Sequence, residues 1–199
     1  MAPPRIVDPQ GLYHVMTRGN YRRTIFPDAT HADRYLFLLN RVSLRRKWIV
    51  VDWCLMPNHY HLLVQLTDGG LSDGMRELNG CYSRWSNAIH HLTGTGHLVR
   101  NRFKSLLVDS EPYLFQLLRY IPNNPVRAAL TASAGSWRWS GYRATAGVEY
   151  PRTFHRPTAA LAYFHPDPRR AQALYRQLVS LGPDPKVPDP WSDQDEPAA

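Results

Sequence analysis

Trp53-Cys54-Leu55-Met56-Pro57-Asn58-His59-Tyr60-His61-Leu62-Leu63-Val64-Gln65-Leu66 decides how this chain folds. An apolar run closes on Met-Pro-Asn, and a second apolar run follows with two histidines at its head. Pro presets φ and Asn hydrogen-bonds its own backbone, so Pro57-Asn58 reads as a turn between two strands. Residues two apart in a strand share a face, which sets His59 beside His61 and turns Tyr60 to the opposite side. Two imidazoles so placed are half of a metal site on a rigid scaffold. A bare His-x-His pair is unspecific in a chain with nine histidines, and two polar residues at a strand mouth would look the same. The apolar neighbours Leu62, Val64 and Leu66 sharpen the reading, because neutral imidazoles buried without partners cost free energy.

Upstream, Trp48 to Leu55 is a β-branched and aromatic strand that pairs through the turn with His59 to Leu66. Before it, Asp28 to Asp33 opens a helix with Asp28 or Thr30 as N-cap. Tyr35, Leu36, Leu38, Leu39, Val42 and Leu44 supply its buried side through about residue 46. Gly11 to Asn20 alternates as a first strand running into a Gly-Asn turn, with Arg18, Arg22 and Arg23 crowded at its end. His14 on that strand reads either as a further ligand or as a structural histidine.

Downstream, Ser72-Asp73 caps a second helix over about 72–92, where Met75, Leu78, Tyr82, Trp85, Ile89 and Leu92 repeat at helical spacing as a core stripe. Arg100, Arg102 and Lys104 alternate ahead of a short strand, Leu106 to Val108, and on extended backbone form one basic rail. Glu111 to Ile121 reads as a helix with Pro112 in its first turn. Pro122 and then Asn124-Pro125 are expected to distort or end it. Ser136 to Arg143 is aromatic and basic. From Val148 the chain turns Pro-rich around one short helix, Pro168 to Leu181, and the Pro/Asp-rich end is expected to be disordered. The boundaries that follow are a domain over 8–147, an extension over 148–181 and a tail over 182–199. Strand, helix, strand-hairpin, helix, strand, helix is the order of a ferredoxin-like α+β sandwich, an antiparallel β-sheet backed by helices.

The 199 residues suffice for one domain with a proper core, and 43% apolar residues support a globular protein. No apolar run approaches a membrane span, and Met1 to Asp8 lacks a signal h-region. Cys54 and Cys81 have no ligand spacing and read as reduced cytosolic thiols. The formal net charge is +8 and the isoelectric point about 9.8. Four basic against six acidic residues beyond residue 164 leave that end at −2, so the first 164 residues carry +10. Such an excess on a compact body is the electrostatic footprint of a nucleic-acid binder.

Two segments carry a family likeness. Pro57-Asn58-His59-Tyr60-His61 resembles the His-hydrophobic-His motif of HUH single-tyrosine nucleases. Tyr120-Ile121-Pro122-Asn123-Asn124-Pro125-Val126-Arg127-Ala128 resembles the Tyr-Ile-x-x-Asn-Pro-Val-Arg-Ala signature of REP-associated tyrosine transposases, relatives of the 200/605 insertion-sequence group. The blocks Tyr13 to Asn20, Gly96 to Lys104 and Trp137 to Tyr142 are similar too, so the likeness spans roughly residues 8–145. The resemblance implies an HUH endonuclease and transposase cleaving and rejoining single-stranded hairpin DNA. Tyr120 would be its nucleophile, forming a 5′-phosphotyrosine. A divalent metal, Mg²⁺ or Mn²⁺, would be held by His59, His61 and Asn124, the last placed four residues after the tyrosine and so on its helical face. Arg18, Arg22, Arg23, Arg100, Arg102, Lys104 and Arg127 would contact DNA.

Pro122 departs from the family pattern, where an ordinary residue, often His, is usual; a kink there would shift Tyr120 or Asn124. Tyr113, two turns earlier, is the substitute nucleophile. A domesticated DNA- or RNA-binding protein without cleavage is the second reading. A cupin-like metal enzyme is the third, and it lacks the glutamate that its motif wants near Gln65 and Leu66. The expected setting is cytoplasmic and nucleoid-associated, with no membrane partner and a monomer or homodimer.

Overall fold

β1 (Leu12–Arg18), β2 (Ile49–Met56), β3 (His59–Gln65) and β4 (Lys104–Leu107) form one antiparallel sheet in the order β2-β3-β1-β4. They belong to a computed structural model that describes residues 8–91, 98–99 and 103–184. α1 (Ala29–Arg46) joins β1 to β2 and α2 (Leu71–Ile89) lies between β3 and β4, which completes the β-α-β-β-α-β order of the ferredoxin-like α+β sandwich. α3 (Glu111–Arg127), α4 (Tyr142–Thr145), α5 (Pro157–Leu161) and α6 (Pro168–Ser180) follow.

Both sheet faces are covered, and strand alternation assigns each residue to one of two cores. Val15, Val50, Trp53, Leu55, Tyr60, Leu62 and Val64 pack with Tyr35, Leu39, Met75, Leu78 and Tyr82 of α1 and α2. The α2 stripe is therefore core, and the Tyr60 hydroxyl is satisfied on this face by Thr17 Oγ1 at 2.8 Å and Asn79 Oδ1 at 2.7 Å. Cys54, Met56 and Leu63 point the other way, to Leu117, Leu118, Tyr120 and Ile121 of α3 and to Tyr175 and Val179 of α6.

Three sequence expectations are corrected. The residue capping α2 is Gly70, at φ +75°, rather than Ser72 or Asp73; only glycine takes that conformation without steric cost. The last strand starts at Lys104 rather than Leu106, because β1 offers partners from Met16 to Tyr13. α3 does not end at Pro122 but runs on to Arg127 with Pro122 and Pro125 inside it. The Asp28 cap of α1 holds, its Oδ1 accepting from the His31 amide at 3.0 Å. Arg100, Arg102 and most of the tail lie outside the described residues.

Residues 137–141 and the segment beyond 148 pack onto the free edge of β2. The Leu55 amide donates to the Trp139 carbonyl at 2.8 Å and the Arg156 amide to the Val50 carbonyl at 2.9 Å. The bulge between Val50 and Asp52 turns Asp52 into this seam, where it is 1% exposed. Gly141 is required there, since a Cβ would lie 2.6 Å from Asp52 Oδ1 and 3.0 Å from the His155 ring. Burial pushes the Asp52 carboxyl up to about 7, against the Trp53 amide donated to Oδ1 at 2.8 Å, and pushes His155 down to about 4.

A carboxyl raised in the folded state holds its proton where the unfolded chain has lost it. Its contribution therefore erodes stability as pH rises from about 4 to about 7. Urea unfolding of Asp52→Asn against wild type at pH 5 and pH 8 will show the difference moving in the variant's favour at the higher pH, by about 1.4 kcal/mol for each pH unit between 5 and the raised pKa of about 7.

Candidate active site

Register decides which side chains meet. On β1, Met16 lies opposite His61 and Arg18 opposite His59, so His14, Met16 and Arg18 share the α3 face of the sheet with both histidines. His14 Nε2 lies 2.9 Å from His61 Nδ1, with the rings stacked at 5.1 Å and 23°. His14 is 1% exposed and His61 fully buried. Burial pushes His14 down to about 3 and His61 well below the usual imidazole range, His61 being lowered further by the charges of His59 and His14. Both rings are neutral at pH 7, which a metal ligand requires.

His59 stands at the strand mouth, its ring 5.1 Å from that of His61 and perpendicular to it. The loop between β1 and α1 sets its orientation. Tyr21 and Arg22 take left-handed φ values of 50° and 56°, which brings the Arg22 carbonyl to Asn58 Nδ2 at 3.3 Å. With that nitrogen engaged, Asn58 Oδ1 faces His59 Nδ1 at 2.7 Å and accepts a hydrogen bond from its N–H. Gly19 N–H to the Asn58 carbonyl, and Ile25 and Phe26 N–H to the Pro57 carbonyl, hold the hairpin tip at 2.8–2.9 Å.

α3 brings Tyr120 across the same face. Its ring lies 5.4 Å from His61, edge-on, and 6.2 Å from His14. The Arg127 guanidinium, two turns on, sits 5.9 Å from the Tyr120 ring centre. Pro122 has not moved the tyrosine away. Asn124 Nδ2 donates to the Tyr120 carbonyl at 2.9 Å and the Ile121 carbonyl at 3.3 Å; the latter is the acceptor that Pro125 leaves without its helical N–H. The amide nitrogen is thus committed to backbone, and Oδ1 is the atom Asn124 has to offer a cation.

The residues fit a divalent metal in one specific respect. His61 Nε2 is buried with no hydrogen-bond partner, while the Nδ1 atoms of His61 and His59 are both engaged. Among the described residues no group of three or more His, Cys, Asp and Glu side chains converges as a metal site, so a cation here would take two imidazoles and an amide oxygen. His14, open in sequence as a further ligand, is instead turned onto His61. That role and the one of Asn58 go beyond what the motif shows; the alternation Leu12, His14, Met16, Arg18 was the available signal for the first.

Of the basic residues, Arg18 stands opposite His59 and Lys104 opposite Met16, and Arg22 and Arg23 are exposed on the clamping loop. Tyr113 sits away from the histidines, lining a cleft with Leu178 and Asp184, and half-burial and Asp109 raise its hydroxyl pKa.

Residues 9–124 match the family model described as IS200-like transposase, a span that runs from β1 to Asn124. Among solved structures the chain is similar to a REP-associated tyrosine transposase bound to a REP hairpin, at 18% identity over 79% of this chain and 90% of that one, with a TM-score of 0.62. At that identity the likeness is one of fold. It is also similar to a putative transposase from Deinococcus radiodurans R1, at 26% identity over 62% of this chain and 97% of that one, with a TM-score of 0.44. No curated protein matches.

The clamp on the hairpin tip leaves no room at Gly19, where a Cβ would lie 2.1 Å from the Arg23 carbonyl oxygen. Gly19→Ala will lower stability by about 1–3 kcal/mol in chemical unfolding, the usual cost of overpacking.

Proposed function

The chain belongs to the IS200-like transposase family, and from that membership and the site geometry we propose that it cleaves and rejoins single-stranded hairpin DNA, at REP-like repeats, through a 5′-phosphotyrosine on Tyr120. The observation that carries the proposal is the Tyr120 ring edge-on to His61 at 5.4 Å, on the sheet face that also holds His59 and His14. A divalent cation, Mg²⁺ or Mn²⁺, bound by His59, His61 and Asn124 would supply Lewis-acid polarisation of the scissile phosphate. Imidazole ligands favour Mn²⁺ over Mg²⁺ in vitro.

The chain's own residues do the rest. Tyr120 Oη attacks phosphorus, the bond to the 3′ oxygen breaks, and a free 3′-hydroxyl is left. The covalent intermediate conserves the phosphoester bond, so the strand is rejoined without a nucleotide cofactor. α3 is fixed against the sheet and against α6, which holds the tyrosine close to one geometry. Arg127 places a positive charge beside the ring that meets the phosphate. Arg18 and Lys104 on the sheet, Arg22 and Arg23 on the clamping loop, and Arg100 and Arg102 together track the DNA backbone. The REP hairpin bound by the similar transposase supports hairpin DNA as the substrate class.

Tyr120 lies against His61 of its own chain, which supports a monomer as the working assembly, with a homodimer as the other. Residues 8–147 form the nuclease unit, with 148–181 as the extension that buttresses α3. No described helix is long and apolar enough to cross a membrane. A DNA substrate makes the cytoplasm the setting of the proposed reaction.

A labelled single-stranded hairpin from repeats flanking the gene, incubated with Mn²⁺, will give a protein–DNA adduct on a denaturing gel. Tyr120→Phe and His59→Ala will both lose it, as will chelation with EDTA. An adduct surviving Tyr120→Phe would assign the nucleophile elsewhere, and salt-sensitive binding with no adduct would identify a DNA-binding protein that does not cleave.

A further inference from the structure

We propose that His14 is a positioning residue: its Nε2 accepts the Nδ1–H of His61 and thereby presents the Nε2 lone pair of His61 to the cation. The inference rests on the metal-dependent reading above and names a residue that the His-x-His motif does not contain.

The two histidines of the motif are built alike. Each has its Nδ1 engaged by a neighbour, His59 by Asn58 Oδ1 at 2.7 Å and His61 by His14 Nε2 at 2.9 Å. For His59 the direction follows from Asn58, whose nitrogen is spent on the Arg22 carbonyl; an amide oxygen can only accept, so the Nδ1 of His59 is the donor. For His61 the partner is another imidazole, which can donate or accept. Donation from His14 would place a proton on His61 Nε2, a buried atom with no acceptor, and would close it to metal. Donation from His61 leaves that atom as a lone pair and moves the unpaired N–H to His14 Nδ1, which is also buried. One N–H is left without an acceptor in either case, and only the second arrangement gives His61 an atom that can bind a cation.

The place of His14 suits this role. β1 carries it at the centre of the sheet, diagonal to His61, and the stacked contact at 5.1 Å restrains rotation of the His61 ring. Its own Nε2 is occupied, and it forms no three-residue ligand group with His59 and His61. Metal-binding histidines ordinarily lean on a carboxylate or carbonyl, which fixes tautomer and ring direction. Here a buried neutral ring fills that place without adding charge to the centre of the sheet.

Nitrogen-15 NMR of the metal-free wild-type protein reads the tautomer directly. The expected spectrum has His61 protonated at Nδ1 and bare at Nε2; the opposite tautomer would overturn the proposal without any variant. Mn²⁺ titration followed by electron paramagnetic resonance gives the second arm. His14→Leu will raise the dissociation constant about 10–100-fold, and His14→Gln, whose Oε1 reaches the position of Nε2 as a pure acceptor, will restore most of it. A folded His14→Leu protein with wild-type affinity would overturn the role of His14 alone. A wild-type protein that binds Mn²⁺ no better than His61→Ala would overturn the metal-dependent reading and this proposal with it.

Discussion

A strand at the centre of a sheet covered on both faces serves two cores at once, and β3 is that strand. Its period of two sends Tyr60, Leu62 and Val64 into the core with α1 and α2, and His59, His61 and Leu63 to the face under α3. His61 therefore occupies a position where a core would otherwise take an apolar side chain, with His59 at the mouth of the same face. Burial forces neutrality on His61, and each of its buried ring nitrogens then calls for a partner or a ligand. The partners come from elsewhere: His14 from β1, Asn58 from the hairpin tip, and Tyr120 from a helix some sixty residues away in sequence.

That helix survives two internal prolines because side chains and tertiary contacts replace what the prolines remove. Pro125 deprives the Ile121 carbonyl of its helical donor, and Asn124 Nδ2 supplies one. Asn123 Nδ2 bonds the Arg119 carbonyl and crosses to the Val179 carbonyl near the end of α6, both at 3.0 Å. Arg119 answers from α3, donating to the Leu181 and Gly182 carbonyls and pairing with Asp184 at 3.2 Å. The prolines cost helical hydrogen bonds; Asn124 restores a donor inside α3, and Asn123 adds attachment between α3 and α6.

The segment beyond residue 148 thus has a mechanical part to play. It reaches α3 through α6 and the β2 edge through His155 and Arg156, and it shares the apolar cluster that contains Tyr120. Its seam with β2 encloses polar groups with unmet demand, Asp52 Oδ2, His155 Nδ1 and the Tyr175 hydroxyl. The seam therefore loses stability toward both ends of the pH range: protonation of His155 as pH falls and deprotonation of Asp52 as pH rises each place a charge inside it.

The sequence by itself determined the order of the elements, the hairpin at Pro57-Asn58, the two faces of β3 and the pairing of Tyr120 with Asn124 on one helical face. These are local matters of period and turn chemistry, and period is readable along the chain. It stopped short where the answer depended on distant partners. Pro122 reads as a helix breaker because propensity knows nothing of Asn123 reaching Val179 or of a helix clamped between a sheet and α6. Ser72-Asp73 reads as a cap because the left-handed Gly70 is chosen by how the chain leaves β3. Most of all, His14 and His61 are 47 residues apart and touch through register. Alternation says that both could face α3, but the hydrogen-bond register between β1 and β3 decided that one imidazole lies against the other, and register is a property of the assembled sheet.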